Sequence, residues 1–161
     1  NMYTEFKELP GDARIWIYQS DRKLIDIEIE EITEKTKEFV TQWAAHGSNL
    51  TAGFEIRHGR FIIFGVDQTE VQASGCSIDS SVVFIQSLER KYDVNLLDKM
   101  NVTYYTGEFI AHKSLIDFRK MAKDKSVSPK TIVFNNLVNT KEEYENHWEV
   151  PASESWHGNF M

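Results

Sequence analysis

An α+β fold, with a ferredoxin-like β-α-β-β-α-β core and a C-terminal α/β extension, is predicted by three observations. Short runs of β-branched and aromatic residues alternate with two long stretches of helical periodicity. A tight-turn dipeptide, His58-Gly59, joins two of the apolar runs as a hairpin. The segments follow in the order strand, helix, strand, strand, helix, strand, which is that of the split βαβ unit. The 161 residues suit a single domain. Its bounds are 2–161, with the core over about 13–112 and the extension over about 113–161. Asn1, ahead of Met2, reads as a tag remnant and is set aside.

Each element follows from its residues. Arg14–Ser20 carries Ile15, Trp16, Ile17 and Tyr18 and reads as a strand. Ile25, Ile29, Ile32, Thr36, Phe39, Val40 and Trp43 recur at helical spacing, with Glu and Lys between them. Asp26 is the expected N-cap of that helix, and Gly47, after His46, its expected stop. Thr51–Arg57 alternates Phe54 and Ile56 with Glu55 and Arg57, a strand with one wet face. Arg60–Val66 is apolar on both faces, which predicts a central strand covered on both sides. Ile78, Val82, Ile85, Leu88 and Tyr92 form the stripe of a second helix, from about Ser77 to Tyr92.

Val102–Tyr105, Gly107 and Phe109–His112 predict a further strand or hairpin. In the extension, Ser114–Asp117 resembles a capping box opening a helix to about Asp124. Thr131–Phe134 is a short strand, and Thr140–Glu143 a full capping box for a helix to about His147. Trp16 and Tyr18 share one face of the first strand and each has a large surface to bury. Phe134, Trp148 and Trp156 of the extension, or a second copy in a homodimer, are the expected cover.

Composition narrows the function classes. Apolar residues make up 41% and the net charge is −7, so a packed core is expected and disorder is not. Lys and Arg are scattered, and the Lys120–Lys130 stretch reads as a solvated helix end, so nucleic acid is not an expected partner. The longest apolar run, Phe61–Val66, is far below the ~18–20 residues that span a bilayer, so membrane insertion is not expected either. A single cysteine, Cys76, and no apolar leader fit a cytoplasmic protein.

Chemistry concentrates in one loop, Gln72–Ser81. Gly75 permits an unusual turn, and Ser77 can cap the second helix. The free N–H groups that follow form an anion site at the helix N-terminus. Ser74, Gly75, Ser77, Asp79 and Ser80 are therefore the candidate ligand-binding residues, for a small anion, carboxylate or phosphate. Cys76, beside the same dipole, has its thiolate stabilised and is a candidate nucleophile. Asp67, at the end of the central strand, and His157, in the irregular Ser155-Trp-His tail, complete the candidate catalytic set. His58 reads as a turn residue and His46 as a helix end. No His-Glu-x-x-His or Cys-x-x-Cys occurs, so neither a metal nor another cofactor is expected.

The segments Ala13–Ser20, Gln42–Gly47, Ala73–Ser81, Thr131–Val138 and Trp148–His157 carry a family resemblance. Over nearly its whole length the chain resembles a small group of bacterial proteins that often bear the label "ABC transporter ATPase". The resemblance implies no mechanism. The label implies a Gly-x-x-x-x-Gly-Lys-Ser/Thr loop, and this chain has no Gly-Lys pair, which excludes P-loop ATP hydrolysis. Three readings remain: a small-ligand protein or enzyme using the Gly75–Ser81 loop, a non-catalytic interaction module or homodimer, and a thiol enzyme using Cys76.

Overall fold

The computed structural model describes residues 3–161, so the reading of Asn1 lies outside it. The chain has helices and two antiparallel sheets of three and four strands, a mixed α+β fold, with one small two-stranded ribbon. Two compact units form. The first comprises Asn1–Leu97 with Asn139–Glu142, and the second Asp98–Val138 with Glu143–Met161.

In the first unit, β1 (Arg14–Gln19), β4 (Thr51–Arg57) and β5 (Phe61–Asp67) make an antiparallel sheet in the order β1-β5-β4. Strand β5 is central and buried from Phe61 through Val66, as its two-sided apolar pattern requires. Its hairpin with β4 turns at His58 and Gly59, both at positive φ (58° and 62°), the central positions of a turn that Arg60 N–H closes on the Arg57 carbonyl at 3.0 Å.

Helices α1 (Asp26–Gln42) and α2 (Gly75–Tyr92) lie on one face of that sheet. Ile32 and Val40 of α1 and Ile85 and Leu88 of α2 join Ile62, Phe64 and Val66 in one core. These helices supply the cover that Trp16 and Tyr18 need. Trp16 meets Trp43, the residue that caps the end of α1, edge-on at 5.7 Å, and the Tyr18 hydroxyl shares a 3.2 Å hydrogen bond with the Ser81 hydroxyl of α2. Phe39 of α1 stacks on Phe84 of α2 at 4.6 Å.

On the opposite face the 3-10 turn Phe6–Glu8 packs down where the sheet has no side chains. A Cβ on Gly53 would collide with the Thr4 carbonyl, and one on Gly65 would lie 2.6 Å from a Leu9 methyl.

Three local expectations are revised. Helix α1 begins at Asp26 with Ile25 at its N-cap. The Glu28 carboxylate accepts the Ile25 N–H at 2.9 Å, because isoleucine has no side-chain acceptor to close the box from its own side. The helix also ends at Gln42, short of Gly47. The segment beyond it folds into a ribbon of β2 (Ala44–Ala45) and β3 (Ser48–Asn49). Its turn is His46-Gly47, both at positive φ, so His46 serves a hairpin rather than a helix end. Helix α2 starts at Gly75, two residues before the expected Ser77, because Ser74 takes the N-cap.

The second unit holds a four-stranded antiparallel sheet. Its strands are β6 (Asn101–Thr106), β7 (Phe109–Ser114), β8 (Ile132–Phe134) and β9 (Glu149–Pro151), in the order β7-β6-β8-β9. A ferredoxin-like core would bring β6 into the sheet of β1. Here β6 pairs with β7 and β8, and the outer edge of β1 meets Asn139 and Thr140. Ile15 N–H donates to the Asn139 carbonyl at 2.9 Å, and Arg14 bridges Thr140.

Helix α3 (Leu115–Lys123) packs Phe118 and Ala122 against Val102, Tyr104, Val133 and Val150. Ser114 caps it, accepting the Asp117 N–H at 3.1 Å. Trp148, after α4 (Lys141–His147), is buried against Phe134 and Tyr144, with its indole N–H on Asn136 at 2.8 Å. The tail read as irregular is β9 followed by two 3-10 turns, Ala152–Glu154 and Trp156–Phe160.

Candidate functional site

The loop at the start of α2 is closed by its own side chains. Ser74 Oγ accepts the Ser77 N–H at 3.1 Å, and Ser77 Oγ accepts the Ser74 N–H at 2.7 Å. The hydroxyls of Ser77, Ser80 and Ser81 donate to the carbonyls of Ser74, Ser77 and Ile78. These hydroxyl protons are therefore spent within the helix. Ser77 is 2% exposed, and its carbonyl also accepts the Trp43 indole N–H at 2.7 Å. Gly75, Cys76, Asp79 and Ser80 are exposed, and the N–H groups of Gly75 and Cys76 make no hydrogen bond among the described residues.

Cys76 is a free, exposed thiol with no histidine bonded to it among the described residues. Asp67 spends one carboxylate oxygen on Thr69, accepting its N–H at 2.9 Å and its hydroxyl at 2.6 Å, which makes it the cap of a turn. Among the described residues no three His, Cys, Asp or Glu side chains group as metal ligands.

His157 belongs to the second unit and is 1% exposed. Its Nδ1 shares a 2.6 Å hydrogen bond with the Ser155 hydroxyl. Its ring stacks on Trp156 at 3.8 Å and meets Phe118 edge-on at 5.9 Å. Burial pushes its pKa down to about 4, so the imidazole is neutral at pH 7. A hydroxyl beside a neutral imidazole is the contact that activates a serine. No carboxylate orients the ring among the described residues, and the imidazole is out of reach of solvent. What the pair does is hold the last 3-10 turn against Phe118 of α3.

That docking builds a concave surface which the sequence reading missed. A groove of about 320 Å³ is lined by Ile116, Arg119, Lys120 and Lys123 of α3 and by Asn159 and Phe160 of the last turn. The four α3 residues stand at helical positions i, i+3, i+4 and i+7, one face of the helix. Arg119, Lys120 and Lys123 make no ion pair among the described residues. The Arg119 guanidinium lies over the Phe160 ring, 5.4 Å from its centroid. The periodic signal was present in the sequence, but Lys120–Lys130 reads there as a solvated helix end. The wall that turns this face into a groove comes from residues 36 and more positions later.

Comparison with protein-family models, with curated proteins and with solved structures finds no match for this chain. No helix among the described residues is long and apolar enough to cross a membrane.

Proposed function

We propose that this protein is a binding module for an anionic ligand, received in the groove between α3 and the last 3-10 turn. The observation that carries this reading is the set of three cations without ion-pair partners, on one helix face beside a wall, in a chain whose net charge is −7. Each cation costs self-repulsion with its neighbours, which an anion in the groove relieves. The reading suits a cytoplasmic protein related to the bacterial group named above. It also treats the first unit as three strands of a ferredoxin-like core.

A second reading keeps the anion at the start of α2. The exposed N–H groups of Gly75 and Cys76, at the positive end of an 18-residue helix, favour it. One titration separates the two. With pyrophosphate added at constant ionic strength, saturable amide shifts are expected at residues 116–123 and 159–160. Arg119→Gln and Lys123→Gln should each weaken binding about 10-fold. Shifts clustered at 74–80 that ignore both substitutions would move the site to the loop. Shifts spread evenly over the surface would remove both.

A further inference from the structure

The groove has two chemically different ends. Ile116, 65% exposed, presents an apolar surface at the α3 N-terminal end, and Lys123 presents a charge at the other. Seven residues of helix separate them, a span of about 10 Å. Between them Arg119 rests on Phe160, and Phe160 is itself held edge-on by Trp156 at 5.9 Å. The guanidinium thus has an aromatic ring on one side at cation–π distance. Its other side suits a second planar group, since guanidinium planes stack on aromatic rings and nucleobases alike. Asn159 adds an amide, with donor and acceptor, to the same lining. An inorganic anion would use the cations of this surface and leave its apolar end and its ring unused.

We infer that the groove takes a nucleoside diphosphate, with the base stacked on the Arg119–Phe160 pair beside Ile116 and the phosphates against Lys120 and Lys123. This rests on the anion-binding reading above and adds the ring. The fit follows from polarity. A nucleoside diphosphate has a planar base at one end and anionic phosphates at the other, as the groove runs from apolar Ile116 to cationic Lys123. Binding here calls for no hydrolysis, in keeping with the missing phosphate loop.

The test compares ADP, pyrophosphate and adenosine by calorimetry on the full chain, with Arg119→Lys and Phe160→Leu as variants. Arg119→Lys keeps the charge at an exposed position and removes the planar guanidinium. Phe160→Leu keeps apolar bulk and removes the ring, and its melting point reports whether the turn still docks. ADP should bind at least about 10-fold more tightly than pyrophosphate, and adenosine alone should bind weakly. On Arg119→Lys, ADP should bind no more tightly than pyrophosphate does on the same variant. Equal affinities for ADP and pyrophosphate in the wild type would overturn the ring assignment and leave the anion reading intact. Saturable binding of neither would overturn both.

Discussion

A buried neutral imidazole makes stability sensitive to mild acid. In the unfolded chain His157 takes a proton near pH 6.5, and in the folded chain it resists until about pH 4. Between those values the unfolded state binds the additional proton, so its population gains as pH falls. The His157 contribution is complete above about pH 6.5, declines from there, and is gone below about pH 4, with a total on the order of 3 kcal/mol. Glu28 titrates in a different window. Paired bidentately with Arg22 at 2.8 Å, its carboxyl is held down to about 2, so its contribution fades only below about pH 4.5. Urea midpoints at pH 7, 5.5 and 4 should therefore fall stepwise, with the loss located in the second unit. In His157→Gln, which cannot take up a proton, that slope between pH 7 and 4 should vanish. A slope that survives the substitution would assign it to other groups.

At the scale of elements, adjacent positions at the start of α2 should respond in opposite directions. Ser74 is the N-cap and one half of a reciprocal box, so Ser74→Ala should cost about 1 kcal/mol. Gly75 has a negative φ, and a Cβ there would meet nothing within 4 Å. Gly75→Ala should therefore stabilise by about 0.4–1 kcal/mol, because it narrows the unfolded ensemble without straining the folded one. Thermal melts of the two variants would measure both signs. Elements like this one were legible in the sequence because their signals are local. The α2 stripe, the two-sided apolar run of β5 and the His58-Gly59 turn each depend on neighbours within a few residues. The end of α1 was misread for the same local reason: His46-Gly47 serves a helix stop or a hairpin turn equally well, and packing of Trp43 against Trp16 and Phe64 selects the hairpin. The groove was out of reach, since a third of its lining, Asn159 and Phe160, arrives from the end of the chain.

For the molecule as a whole, the informative residue is Lys141. It is 6% exposed, and its ammonium donates to the carbonyls of Lys7 and Leu9 at 2.8 and 2.7 Å. Its backbone N–H donates to Ala13, and that of Glu142 to Gly11. Four residues, Asn139–Glu142, thus tie the start of the chain and cover the edge of β1, although 41 residues of the second unit precede them. Nothing in the sequence marks a lysine in a capping box as buried, because charged residues are ordinarily a surface signal. The placement of β6 was unreadable for a related reason: which strand joins which edge is decided by segments distant in sequence. Lys141→Met keeps the chain length and orphans two carbonyls, so it should cost about 2–4 kcal/mol. Amide exchange should report that loss in Arg14–Gln19 and in the Phe6–Glu8 turn first. Unchanged protection there would mean that the backbone bridges suffice.

The same strap sets a clock on synthesis. Lys141 leaves the ribosome 44 residues after Leu97, and at about 5–20 residues per second this takes about 2–9 s. During that interval the nascent first unit has its sheet residues but lacks the strap, and the β1 edge is open to any other extended chain. Pairing of that edge with another chain is open until residue 141 emerges and closes it.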